Sequence, residues 1–248
     1  MKRLLLATLA LLSVTATARA GETNVAVAAN FTAPAKEIAK AFEAKTGHKA
    51  VLSFGATGQF YAQIKQDAPF TVLLAADEET PRKAAAEGLA VGDSRFTYAV
   101  GRLVLWSKNP ATVTGEDTLK TAAFEKVAIA NPALAPYGAA AVQAMKKLGV
   151  HDALQPKIVQ GNTIAQAYQF AETGNAEVGF VALSQVIEKG EGSRWVVPET
   201  LHEPIRQDAV LLTKGAGDEA AKAFLAFLKG PEAGAVIARF GYGTAVSN

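Results

Sequence analysis

Short apolar runs alternate along this chain with stretches in which apolar residues recur every three or four positions, the rhythm of strand and helix taken in turn. Thr23 to Ala29 reads as a first strand, and Pro34 opens a helix whose apolar face is Ala35, Ile38, Ala41 and Phe42 and whose end is Gly47. Ala50 to Leu52 reads as a second strand. It runs into the turn Gly55-Ala56-Thr57-Gly58 and a helix carrying Phe60 and Ile64. Thr71 to Ala75 is a third strand, and Thr80-Pro81 starts a helix that stops at Gly88. Strands and helices in this order predict a parallel sheet with right-handed crossovers.

The second half repeats the theme. Arg95 to Trp106 is a β stretch long enough to serve two sheets, with Gly101 near the crossing. Val127 to Ala130 and Lys157 to Val159 read as strands, each followed by a helix, the first over Ala139 to Leu148 and the second through Ala167, Phe170 and Ala171. Val178 to Ala182 is a buried strand, and Ile205 to Thr213 reads as a return crossing. Helical patterns at Asp218–Leu228 and Pro231–Phe240 belong back on the first lobe. The expected architecture is α/β in two lobes, 21–102 with 207–248 and 103–206. Each lobe is a mostly parallel sheet flanked by helices, and two crossover strands form a hinge beside a ligand cleft.

The opening residues MKRLLLATLALLSVTATARA have the cationic start, short apolar run and Ala18-Arg19-Ala20 ending of a secretory signal peptide at 1–20, which predicts export to the periplasm. Removing Lys2, Arg3 and Arg19 with it takes the formal charge from +2 to −1. No block of five Lys or Arg occurs, so neither nucleic acid nor a lipid surface is an expected partner. With no cysteine in the chain, disulfides, thiolate metal sites and cysteine catalysis are excluded.

Four strand-to-helix junctions carry the candidate chemistry: Ala29-Asn30-Phe31, Ala56-Thr57-Gly58, Pro136-Tyr137-Gly138 and Asn162-Thr163-Ile164. Each offers unpaired first-turn amides at the positive end of a helix dipole, and none offers a Lys or Arg. Two junctions fall in each lobe, at the carboxyl ends of strands, where open α/β sheets bind their ligands. An enzyme on the same scaffold is the competing reading, but Gly-x-Ser-x-Gly and His-Glu-x-x-His are both absent and the three histidines are scattered. His202-Glu203 reads as a turn, the acidic run Asp77 to Glu79 as solvated charge at a helix start, and the five scattered tyrosines argue against a ferric-iron site.

These residues bring a known family into view. The chain resembles the periplasmic molybdate-binding proteins, the solute-binding subunits of molybdate/tungstate ABC importers, over essentially its whole mature length. The resemblance is carried by Ala28-Ala29-Asn30-Phe31, Ser53-Phe54-Gly55-Ala56-Thr57-Gly58, Ala75-Ala76-Asp77-Glu78, the stretch Arg95 to Trp106, Asn131-Pro132 with Ala135-Pro136-Tyr137-Gly138, and Gly179-Phe180-Val181-Ala182-Leu183. It implies a type II two-lobe periplasmic binding fold and capture of the oxyanion by hydroxyls, an amide side chain and backbone N–H groups. The ligands it implies are Asn30, Ala29 through its backbone, Thr57, Tyr137 and Ile164 through its backbone N–H. Tyr137 stands in for a tyrosine that some relatives carry where this chain has Ala182. It further implies delivery to a membrane permease, no cofactor, no catalysis and a monomeric protein. A pocket built only of donors disfavours an ion that still carries a proton, since that O–H finds no acceptor. The preference for molybdate or tungstate over sulfate rests on the resemblance alone.

Overall fold

The computed structural model describes residues 20–243, so all of the expected leader except Ala20 lies outside the described residues. In chain order the strands are β1 (Glu22–Ala28), β2 (Lys49–Gly55), β3 (Val72–Leu74), β4 (Phe96–Gly101), β5 (Leu103–Ser107), β6 (Val127–Ala130), β7 (Ile158–Gly161), β8 (Val178–Ala182), β9 (Ser193–Val196) and β10 (Ile205–Leu211). The helices are α1 (Thr32–Thr46), α2 (Thr57–Lys65), α3 (Glu79–Ala86), α4 (Asp117–Thr121), α5 (Pro136–Lys147), α6 (His151–Leu154), α7 (Ile164–Glu172), α8 (Leu183–Val186), α9 (Glu219–Leu228) and α10 (Pro231–Arg239).

Two five-stranded sheets result, ordered β2-β1-β3-β10-β4 and β7-β6-β8-β5-β9. In the first, β10 runs antiparallel to both of its neighbours while β1, β2 and β3 are parallel. In the second, β5 plays the same part beside parallel β6, β7 and β8. Each sheet is therefore mostly parallel, with one reversed strand in the second position from an edge. Those reversed strands are the ones by which the chain enters each sheet from the other.

The first crossing is as short as a chain allows. β4 ends at Gly101 in one sheet and β5 begins at Leu103 in the other, leaving only Arg102 between them. The return crossing differs from the expectation. Ile205–Leu211 lies wholly in the first sheet, paired with β4 from Ile205 opposite Gly101, so the chain crosses back in the segment between β9 and β10.

Helices cover both faces of each sheet, and the cores follow. On the first sheet α1, α9 and α10 bury Ile38, Phe42, Phe224, Leu228 and Ile237 against Val25, Val27 and Leu74. Helices α2 and α3 bury Phe60, Ile64 and Ala84 against Ala26, Leu73 and Val210 on the opposite face. The second sheet divides the same way, with Leu103 and Leu105 turned to the core that holds α5 and Val104 and Trp106 turned to the one that holds α8. Alternation with both faces buried is why these strands read as near-continuous apolar runs. Each large side chain so placed contributes about 1.5–3 kcal/mol of apolar burial. The second-lobe core also takes in Ala28, Ala29, Ala56 and Ala76 of the first lobe, so the two halves meet over small residues.

Candidate functional site

Small residues at the carboxyl ends of the strands let four helix starts approach one another. A 3-10 turn over Ala29–Phe31 follows β1, α2 starts at Thr57, α5 at Pro136 and α7 at Ile164. They line a half-open cavity of about 10 Å³, room for little more than one water-sized body. Asn30, Thr57, Tyr137 and Ile164 line it together with Ala29, and none of its eleven lining residues is charged. All five residues singled out in the sequence thus share one wall.

Each helix start spends some first-turn amides locally and leaves others open. At α2, Gly58 N–H crosses the cleft to the Leu134 carbonyl (3.0 Å) and the Ala56 N–H is taken by the Gln59 side chain (3.2 Å), while Thr57 N–H has no partner within the helix. At α5, Pro136 has no N–H to satisfy, and both Gly138 and Ala139 donate to the Ala135 carbonyl, which leaves Tyr137 N–H open. At α7, the Thr163 hydroxyl caps Gln166 N–H (3.1 Å) and Ile164 N–H is open. Gly58 and Leu134 also line a wide outer groove of about 800 Å³ between the lobes, which shares Ala76, Ala135 and Pro136 with the cavity.

Two hydroxyls complete the wall. Thr57 Oγ1, almost fully buried, accepts the Ala76 N–H at 3.0 Å, and among the described residues nothing accepts its own proton. Tyr137 Oη accepts from Gln207 Nε2 at 3.2 Å, and its proton likewise has no acceptor among the described residues. Burial pushes the Tyr137, Tyr98 and Tyr242 hydroxyls well above the ordinary tyrosine range, so all three stay protonated donors at neutral pH.

Asn30 departs from the expectation. Both N–H groups of its carboxamide are spent inside the protein, on Gln207 Oε1 (2.8 Å) and Tyr242 Oη (3.0 Å). The donor that Asn30 has for the cavity is its backbone N–H in the 3-10 turn, which also carries that of Ala29. Its carbonyl accepts from Ser184 Oγ and Tyr242 Oη, both at 2.8 Å. Ser184 lies in α8 of the second lobe, so this bond joins the two lobes directly beneath the cavity.

The acidic run is only partly solvated. Asp77 is half-buried and accepts both the N–H and the hydroxyl of Thr80 at the start of α3, while burial raises its carboxyl above the usual carboxylate range. It lines the outer groove with Glu78 and Glu79 and does not reach the cavity. His202 is buried, with Nδ1 donating to the Glu203 carbonyl, in keeping with a turn. Among the described residues no three His, Cys, Asp or Glu side chains group to hold a metal ion, and no helix is long and apolar enough to cross a membrane.

What sequence reasoning passed over is the polar layer under the cavity, made of Gln207, Tyr98, Ser184 and Tyr242. The available signal was Arg206-Gln207-Asp208, a polar run inside a strand whose other residues are apolar, and the last two of the three matter here. Both are fully buried: Asp208 pairs with Arg95 and accepts from Thr97 Oγ1 (2.7 Å), and Gln207 faces the site.

The family described as bacterial extracellular solute-binding protein matches residues 23–243. A molybdate-binding protein of Rhodobacter capsulatus is 59% identical over 227 residues, which is 92% of this chain and 90% of its own. One from Azotobacter vinelandii is 59% identical over 230 residues, 91% of each. Among solved structures, an Azotobacter vinelandii periplasmic molybdate-binding protein superposes with a TM-score of 0.87 at 41% identity, covering 90% of this chain and 99% of that one.

Proposed function

Since this chain belongs to the bacterial extracellular solute-binding proteins and, within them, to the molybdate-binding proteins, we propose that it captures molybdate or tungstate between its lobes and delivers the ion to an ABC importer. It does so in the periplasm, as a monomer, after export and loss of its leader. The observation that carries the reading is the small, charge-free cavity walled by helix starts from both lobes. A space so small shuts out larger organic solutes.

The donors are the backbone N–H groups of Ala29, Asn30, Thr57, Tyr137 and Ile164 with the hydroxyls of Thr57 and Tyr137. Each charge-assisted bond contributes about 1.5–3 kcal/mol, so some seven of them supply on the order of 10–20 kcal/mol gross. Desolvating the dianion and immobilising it costs several kcal/mol, leaving about 8–11 kcal/mol, which is micromolar affinity or tighter. With its acceptors already filled by Ala76 and Gln207, the site has protons to give and nothing to receive one. Fully deprotonated tetrahedral ions fit that demand, and an ion that keeps a proton at neutral pH, such as phosphate, does not.

Isothermal calorimetry of the mature protein with molybdate, tungstate, sulfate and phosphate tests this. Molybdate and tungstate are expected to bind at micromolar levels or tighter, with phosphate undetectable. Sulfate binding as tight as molybdate would replace the reading with a general sulfate-type receptor, and no binding of any of the four would end it. The same titration checks Thr57. Thr57→Ala removes one charge-assisted bond and leaves the Ala76 N–H unpaired, so affinity is expected to fall ten- to hundredfold, about 1.5–3 kcal/mol. Thr57→Ser keeps the hydroxyl and is expected to stay within about threefold of wild type, under 1 kcal/mol.

A further inference from the structure

Gln207 has no place among the cavity's lining residues, yet its side chain touches the site from below at several points. It is fully buried in β10, at the bulge that shifts the β10–β4 register between Gln207 and Asp208. Its Oε1 accepts Asn30 Nδ2 at 2.8 Å, and its Nε2 donates to Tyr137 Oη at 3.2 Å. Tyr98 Oη lies 3.1 Å from both Gln207 Oε1 and the Ala75 carbonyl. That carbonyl belongs to the same peptide group as the Ala76 N–H, which donates to Thr57 Oγ1. One carboxamide is thus wired to three of the four helix starts, two in the first lobe and one in the second.

A polar side chain at a fully buried strand position is costly unless its groups are bonded, and an apolar residue of the same length would serve folding as well. The cost is met here by bonds to site residues, which points to a role in the site. The bond to Tyr137 spans the lobes, so it exists only when they are together. It also fills the acceptor side of the Tyr137 hydroxyl and leaves the proton for a guest.

We propose that Gln207 is a positioning residue that couples the two halves of the anion site, holding Asn30 and Tyr137 in their closed arrangement and so setting how long the shut cleft keeps its ion. This rests on the oxyanion reading of the cavity. A contact made only in the closed state acts on escape more than on encounter.

Stopped-flow measurement of molybdate binding and release, on wild type, Gln207→Met and Gln207→Glu, tests the role. Gln207→Met keeps the length and loses every bond, so its off-rate is expected to rise ten- to hundredfold while its on-rate stays within about threefold. Gln207→Glu puts an acceptor where the donor was and takes the Tyr137 proton for itself. Its off-rate is expected to rise at least as much at pH 8 and to recover toward wild type at pH 5.5, as the introduced carboxyl regains a proton, while wild type stays flat. Leu154→Ala, a truncation in the second-lobe core, is the control for lost stability and is expected to lower the melting temperature without altering release. Wild-type off-rates in both Gln207 variants, or a rise no larger than in the control, would overturn the role alone. Failure of the wild-type protein to bind molybdate would overturn the reading of the cavity, and the role with it.

Discussion

Protein carrying Gly138→Ala is expected to bind molybdate at least a hundredfold more weakly and to melt several degrees earlier. The second residue after Pro136 at the start of α5 sits against the end of β6, and a Cβ there would stand 2.2 Å from the Ala130 carbonyl oxygen and 2.8 Å from its carbon. Backbone cannot swing aside as the tip of a side chain can, so the first turn of α5 has to lift off the strand. Overpacking of this kind costs typically 1–3 kcal/mol and here falls at the upper end. At about 2–4 °C per kcal/mol for a chain of this size, a loss near 3 kcal/mol lowers the melting temperature by roughly 6–12 °C. The same shift carries the Tyr137 N–H and hydroxyl away from the cavity, so binding suffers beyond what stability explains. Calorimetric titration alongside a thermal melt separates the two. Wild-type affinity in a folded Gly138→Ala protein would mean that the start of α5 does not hold the ion.

Gly101→Ala is expected to act the other way round, with a modest effect on the ligand-free protein and a large one on binding. A Cβ at the first crossing would fall 2.2 Å from Tyr137 Oη and 2.5 Å from Gln207 Nε2, on the bond that ties the lobes. Breaking that buried bond costs about 1–3 kcal/mol and the added methyl about 1–3 kcal/mol more. Because Tyr137 belongs to the second lobe, opening relieves the clash, and the penalty falls on closure. Affinity is expected to drop about thirtyfold or more. Small-angle scattering should find the variant less compacted by molybdate than wild type; equal compaction and equal affinity would exclude Gly101 from closure.

Much of this was legible in the order of residues, and the failures have physical reasons. Strands at Val127–Ala130 and Val178–Ala182 coincide with the reading because buried parallel strands carry unbroken apolar runs bounded by turn residues. Helix ends at Gly47 and Gly174 were visible because both adopt positive φ, at 74° and 77°. Helix α5 begins three residues before the expected Ala139, because the junction Pro136-Tyr137-Gly138 is itself the first turn, with Pro136 at its first position. The return crossing was misplaced because a β stretch such as Ile205–Leu211 looks the same whether it passes between sheets or stays in one. Strand β9, four residues with a mixed pattern, gave no periodicity to find.

For the site, backbone donors are announced by where helices start, and so the five residues picked from the sequence line one pocket. Side-chain roles depend on partners distant in the chain. Whether the Asn30 amide faces the cavity or the protein is decided by Gln207 and Tyr242, some 177 and 212 residues away, and no local pattern reports that.

A cage with no formal charge leaves its prisoner's charge uncompensated. If the expected leader is removed, taking Lys2, Arg3 and Arg19 from the +2 total, the chain is formally −1 and would become −3 on taking up a dianion. Loaded and empty forms therefore differ in electrophoretic mobility and in retention on an anion exchanger. Any basic surface that receives the protein feels a stronger pull from the full form than from the empty one, before a single atom of the cargo is touched.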